Sequence, residues 1–262
     1  MRHFASVLVT GASSGIGRAI ALQCARPGAV LHLTGRDLGR LEATASAGRA
    51  RGAEVKAAIV DVRDAEAMAA WIGEAGPLDV VIANAGVSSG TGDGVPETHE
   101  QARVVFATNL DGVLNTAFPA MEAMARQPTG PDGVRGRIAV IASIAAFVPA
   151  PGAPSYCASK AAVDAWTVAT APIARRRGVQ LTSVCPGYVR TPMTAGNRFR
   201  MPGLMDPDRL ARVALASIAA GRVRVVYPGW LGAAARLVGL LPPRWSGALL
   251  STQPGKDPEP RT

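Results

Sequence analysis

Short apolar runs alternate with longer alanine-rich segments along nearly all of this 262-residue chain, and that alternation restricts it to an α/β fold. Strands are predicted at Val7 to Thr10, Val30 to Gly35, Val55 to Asp61, Val80 to Asn84, Arg137 to Ser143, Val179 to Cys185 and Val223 to Tyr227. Most are nearly continuous in apolar residues, as strands covered on both faces must be. Helices are predicted near Ile16 to Ala25, Ala65 to Gly73, His99 to Arg126, Ser155 to Arg177 and Pro207 to Ala220. The pattern reads as one doubly wound parallel sheet with helices on both faces, and no repeat or linker divides it. Two stretches are irregular: 127–136, a surface loop, and 187–206, which follows a strand where an α/β fold places its ligand.

The first strand runs directly into Thr10-Gly11-Ala12-Ser13-Ser14-Gly15-Ile16-Gly17, which opens a helix. Glycines there permit a tight turn and close approach of backbone to a pyrophosphate, and the helix N-terminus offers free amides with partial positive charge. At the end of the second strand stands Leu33-Thr34-Gly35-Arg36-Asp37. An arginine at this point accepts a ribose 2′-phosphate and a carboxylate binds a free 2′-hydroxyl. Arg36 points to NADP. Asp37 competes as an NAD-type acid, or serves as a helix N-cap.

Further on come Asn84-Ala85-Gly86 at a strand end, Asn109 in a helical stretch, Ser143 at another strand end, and Tyr156 four residues before Lys160. Tyrosine and lysine at i and i+4 share one helix face, so the ammonium is expected to lower the phenol pKa from about 10 toward working pH. In this order the motifs resemble the short-chain dehydrogenase/reductase family, over roughly Ser6 to Tyr227. The resemblance implies a Rossmann-like fold and an NAD(P)-dependent oxidoreductase acting on a carbonyl or secondary alcohol. Catalytic roles fall to Asn109 (water relay), Ser143 (substrate oxygen), Tyr156 (acid/base) and Lys160 (tyrosine and nicotinamide ribose). Cofactor contacts fall to Gly11, Ser13, Ser14, Gly15, Ile16, Gly17, Arg36, Asp61, Val62, Asn84, Ala85, Gly86, Tyr156, Lys160, Pro186, Gly187 and Thr191. Asp61 can instead cap a helix, and Asn84 can tie strand ends together.

Composition narrows the rest. No apolar run reaches the ~18 residues needed to cross a bilayer, and Met1-Arg2-His3-Phe4 begins no signal-peptide pattern, so a cytoplasmic protein is expected. Cys24, Cys157 and Cys185 are too scattered for a disulfide framework or a metal site. The formal charge is +9, with 25 arginines spread along the chain and aromatics at 5%, which argues against nucleic-acid binding. Residues 1–228 read as the dinucleotide-binding catalytic domain with a lid at 187–206. The lid carries Met193, Phe199, Met201, Leu204 and Met205, suited to an apolar substrate, with Arg190, Arg198 and Arg200 open to an acidic group on it. Residues 229–251 read as a helical extension with Trp230, Ala234, Leu237, Val238 and Leu241 on a buried face, stopped by Pro242-Pro243. Residues 252–262 read as a disordered tail. The extension is expected to pack on the lid or on a second subunit of a homodimer or homotetramer. The competing readings are a membrane-surface lipid or oxoacyl reductase and a non-catalytic dinucleotide sensor.

Overall fold

The computed structural model describes residues 3–91, 95–197 and 199–251. The expected tail at 252–262, the lid residue Arg198 and residues 1 and 2 lie outside that set. Seven parallel strands form one sheet in the order β3-β2-β1-β4-β5-β6-β7. They are β1 (Ser6–Thr10), β2 (Val30–Thr34), β3 (Glu54–Ala58), β4 (Val80–Ala83), β5 (Gly136–Ile141), β6 (Val179–Pro186) and β7 (Arg224–Tyr227). All seven predicted strands are present, with ends that move by a few residues. β4 and β5 are buried at every position, and their helix-covered faces account for the unbroken apolar runs.

The helices are α1 (Gly15–Cys24), α2 (Leu38–Arg49), α3 (Ala65–Glu74), α4 (His99–Phe106), α5 (Gly112–Arg126), α6 (Pro154–Arg176), α7 (Pro192–Ala195), α8 (Pro207–Ala219), α9 (Gly229–Gly239) and α10 (Pro243–Ser251). One core cluster joins α1, α2 and α8 to β1 and β2, and a second on the opposite face joins α3, α5 and α6 to β4 and β5. Consecutive strands lie side by side except where the chain crosses from β3 past β1 to β4. The switch between the β1-to-β3 and β4-to-β7 halves opens a crevice at the carboxyl ends of β1 and β4.

Two expectations needed correction. Helix α2 was absent from the predicted helices, and Asp37 was open between an NAD-type acid and a cap. Asp37 does cap it, accepting from the Arg40 amide at 2.8 Å. The single helix expected over His99 to Arg126 is interrupted at Ala107–Asp111, where the chain widens into a π-turn and the Gly112 amide bonds to the Ala107 carbonyl. The face of α9 expected to pack on the lid or a second subunit meets the lid only at Trp230, beside Gly203, and is otherwise turned outward in the single chain: Trp230 is 58% and Leu237 68% exposed, while Leu231 and Gly232 are buried. Pro242-Pro243 does stop α9, but it also starts α10, since proline suits a helix's first turn.

Candidate active site

The groove over the switch point has a volume of about 600 Å³. At its floor the residues 11–17 pass from β1 into α1. Gly11 adopts φ +65, and a methyl group on Gly17 would overlap the Gly11 carbonyl oxygen. Asn84 locks this crossing: its Nδ2 donates to the Thr10 and Gly11 carbonyls at 2.9 and 3.1 Å. The Thr10 hydroxyl in turn accepts from the Asn84 and Ala85 amides. The carboxyl ends of β1 and β4 are thus tied together, as Asn84 suggested in sequence. Ser14, at the N-cap of α1, makes no side-chain cap bond. The first amides of α1 are therefore available to a phosphate.

Of the predicted cofactor residues, all but Gly17 line this groove, and Gly17 lies beneath the turn. At one end stand Arg36 and Asp61. Arg36 is exposed, whereas Asp37 gives both carboxylate oxygens to Arg40, one to its amide and one to its Nε at 2.8 Å. Those bonds hold the Asp37 carboxyl below its ordinary range. Asp61 is gripped by Arg63 at 2.5 Å, which lowers its pKa, and Asp64 rather than Asp61 caps α3. Sequence reasoning missed Arg40, whose i+4 spacing from Arg36 becomes a signal only once α2 is known.

At the other end lie Ser143, Tyr156 and Lys160. Ser143 leaves β5 and caps a short turn at Ile144–Phe147, accepting from the Ala145 amide. Tyr156 and Lys160 stand one turn apart on α6. The amino end of α6 is anchored by Glu97, which accepts from the Ser155 amide at 3.1 Å and the Ser155 hydroxyl at 2.5 Å. Glu97 carries no motif signal, since its partner lies 58 residues away. Burial pushes the Tyr156 phenol up to about 12, with its hydrogen bond to Ser143 pulling the other way. Burial takes Lys160 down to about 8. Its Nζ donates to the Ile141 carbonyl at 2.7 Å and lies 5.8 Å from the Tyr156 ring centre. The expected lowering of the phenol by the ammonium is therefore not the dominant effect here. Lys160 points at a carbonyl, and loss of water outweighs the charge.

Asn109 is fully buried in the π-turn and does not line the groove. Its Oδ1 accepts from the Val87 amide at 2.8 Å, and its Nδ2 donates to the Val87 carbonyl and the Ser159 hydroxyl. The side chain pins the β4 exit to α6, with both amide protons committed. Segment 187–206 crosses the groove so that Thr191 faces Gly15, and Met193 lines the wall. In the same segment Arg190 is exposed and paired with Asp206 at 3.0 Å. Among the described residues no group of three His, Cys, Asp or Glu side chains is gathered as a metal would need. The groove fits a dinucleotide: its turn leaves no room for side chains where phosphates approach, and the Thr108 hydroxyl oxygen on its wall is buried without a partner.

A phosphate-sized turn at a switch point, facing a half-buried tyrosine beside a serine and a buried lysine, defines the nicotinamide-dependent oxidoreductases as a class. Residues 5–201 match the short chain dehydrogenase family, and the chain belongs to it. An uncharacterized oxidoreductase of Myxococcus xanthus (strain DK1622) is 34% identical over 91% of this chain and 93% of its own length. A short chain dehydrogenase/reductase from Burkholderia phymatum, solved in complex with NAD, superposes with a TM-score of 0.78. It is 26% identical and covers 90% of this chain and 92% of its own. An actinorhodin polyketide ketoreductase variant solved with NADPH gives a TM-score of 0.74 at 28% identity, covering 87% of this chain and 97% of its own.

Proposed function

We propose that the chain transfers a hydride between NADP(H) and a carbonyl or secondary alcohol of a small to medium apolar substrate, with Tyr156 moving the proton. The observation that carries this is that Ser143, Tyr156 and Lys160 come together on one wall of the groove. A phenol so placed can give its proton to a carbonyl oxygen that gains negative charge, or accept one from an alcohol in the reverse direction. Nicotinamide, when bound, supplies or takes up the hydride. Ser143 donates to the substrate oxygen, and Lys160, buried and directional, holds ribose hydroxyls below it. A relay role for Asn109 runs through its main chain, because its side-chain donors are spent.

NADP is favoured over NAD because Arg36 is exposed at the adenosine end while the Asp37 carboxylate is consumed by Arg40. Residues 11–17 cradle the phosphates, Asp61 and Val62 the adenine, and Asn84 to Gly86, Pro186, Gly187 and Thr191 the ribose and nicotinamide. Residues 1–228 act as the catalytic domain, with 187–206 as its lid. A cytoplasmic site accords with three free, buried cysteines. A homodimer or homotetramer is supported by apolar side chains exposed on the outer helices, Phe118 at 51% and Ile173 at 63%. The alternative of a membrane-surface lipid or oxoacyl reductase is favoured by one observation, the outward apolar face of α9.

The test is NADPH oxidation screened over ketones, aldehydes, ketosteroids and oxoacyl thioesters, followed by Tyr156→Phe. The variant is expected to bind NADPH normally while kcat falls by about 10²–10⁴. Normal turnover in it would overturn the assignment of the proton to Tyr156.

A further inference from the structure

Helices α9 and α10 are dressed inside out. On α9 the positions Trp230, Ala233, Ala234 and Leu237, spaced i, i+3, i+4 and i+7, all face outward. On α10 Trp245 and Ala248 face outward, while Ser246 is only 2% exposed. Leu240, between the two helices, is 81% exposed. Toward the protein the helices turn one large side chain, Leu231, and otherwise small residues: a Cβ on Gly232 would meet Val226, and one on Gly239 would meet the Phe147 carbonyl. Ordinary surface helices bury the apolar stripe and expose the polar one.

Charge decides what such a face can meet. From residue 209 to residue 256 there is no aspartate or glutamate, whereas the stretch holds six arginines and Lys256. Arg236 and Arg244 are exposed beside the stripe, and Arg200 is exposed on the lid segment. Arg224 is paired with Asp164, but a two-fold pairing of this chain through the face would still set Arg236 and Arg244 against their own copies, with no acid on either helix to neutralise them. The chain's own last eleven residues hold no apolar side chain larger than proline and cannot cover the tryptophans. An anionic lipid surface satisfies both features: it takes the apolar side chains into its headgroup boundary and attracts the arginines. Tryptophan favours that depth, where one edge of its ring is apolar and the other wet. The helices, at 11 and 9 residues, lie on such a surface rather than cross it.

We propose that α9 and α10 dock this chain onto an anionic membrane surface. The face adjoins the groove's substrate end. Trp230 packs on Gly203 of the lid segment, Leu231 on Gly187, and Arg236 lies 4.4 Å from the ring centre of Phe147, four residues past Ser143. Docking therefore sets the mouth of the groove at the lipid boundary, and an amphiphilic carbonyl compound becomes the substrate class. This last step rests on the oxidoreductase reading, while docking itself does not.

The test uses the full chain with vesicles of phosphatidylglycerol and phosphatidylcholine, and with phosphatidylcholine alone. Co-sedimentation is expected with the first, weakening with salt, and at least roughly tenfold less with the second, since each arginine near an anionic surface is worth about 1 kcal/mol. The double variant Leu240→Glu/Trp245→Glu changes only outward side chains. It is expected to lose vesicle binding by roughly tenfold or more while melting temperature and NADPH binding stay as in the parent. Parent protein that ignores both vesicles, or a variant that still binds as well, overturns the proposal. Light scattering that shows the parent assembly falling apart in the variant also overturns it, and assigns the face to a second copy. Activity plays no part in these readouts, so failure of the docking and failure of the oxidoreductase reading are separable.

Discussion

A lysine and a phenol in the same dry wall of a groove each lose water, and each shifts toward its neutral form. For Lys160 the folded chain binds fewer protons than the unfolded chain between about pH 8 and its ordinary 10.5. Stability contributed by this site therefore rises with pH across that window. For Tyr156 the folded chain keeps a proton that the unfolded chain loses above 10, so its contribution falls from there to about 12. Replacing the titrating group by Lys160→Met is expected to remove the rise between pH 8 and 10, an effect on the order of 3 kcal/mol at most. Melting curves of parent and variant at several pH values check it. Parallel pH profiles would count against a desolvated Lys160. At the opposite end, Arg36→Ala is expected to weaken NADPH by about 10- to 150-fold and leave NADH nearly unchanged, as loss of one charge-assisted bond requires. A parent protein that already prefers NADH, read by the same titration, refutes the assignment. The residues of this site were legible because their spacing is local: Tyr156 and Lys160 share one helix, and 11–17 is one turn. Glu97 and the π-turn holding Asn109 were not, because their partners at Ser155, Val87 and Ser159 are remote in sequence.

At the scale of elements, α9 shows how one contact fixes a helix. Gly239 meets the Phe147 carbonyl with no space for a methyl group, whereas Gly229, at the other end of the helix, has nothing within 4 Å of its Cβ position. Gly239→Ala is expected to cost about 1–3 kcal/mol by forcing α9 off the 144–147 turn, lowering the melting temperature by roughly 2–12 °C. Gly229→Ala serves as the control and is expected to hold or gain stability. Equal behaviour of the two would mean that α9 does not seat on that turn. The strands were readable because burial on both faces leaves an apolar run with no alternation to misjudge. Helix α2 was missed since Leu38-Gly39-Arg40-Leu41-Glu42-Ala43-Thr44-Ala45 is mostly small and buries only Leu41, Thr44, Ala45 and Gly48. For α9 periodicity revealed the stripe correctly but not its side. A stripe records which residues share a face, and only the partner surface decides whether that face is turned in.

For the molecule as a whole, the sheet and the last two helices divide the labour. Truncation after residue 228 leaves all seven strands but uncovers Gly187, Val226 and Phe147, and removes Leu231, a buried side chain worth about 1.5–3 kcal/mol. The shortened chain is expected to melt roughly 3–12 °C lower while keeping NADPH binding, as thermal shifts with and without the dinucleotide will tell. Loss of NADPH binding would show that α9 shapes the dinucleotide half of the groove as well. This division also has an order in time. Every residue lining the groove precedes residue 195, yet Phe147 is held between Arg224 of β7 and Arg236 of α9. A growing chain thus has every lining residue of the groove before it has α8, which packs the cradle from beneath, and α9. The turn beside Ser143 is braced only after another 40 or so residues have been made, a few seconds later at about 5–20 residues per second. On the ribosome, the groove's lining is therefore made before the supports that hold it, α8 beneath the cradle and Arg236 beside Phe147.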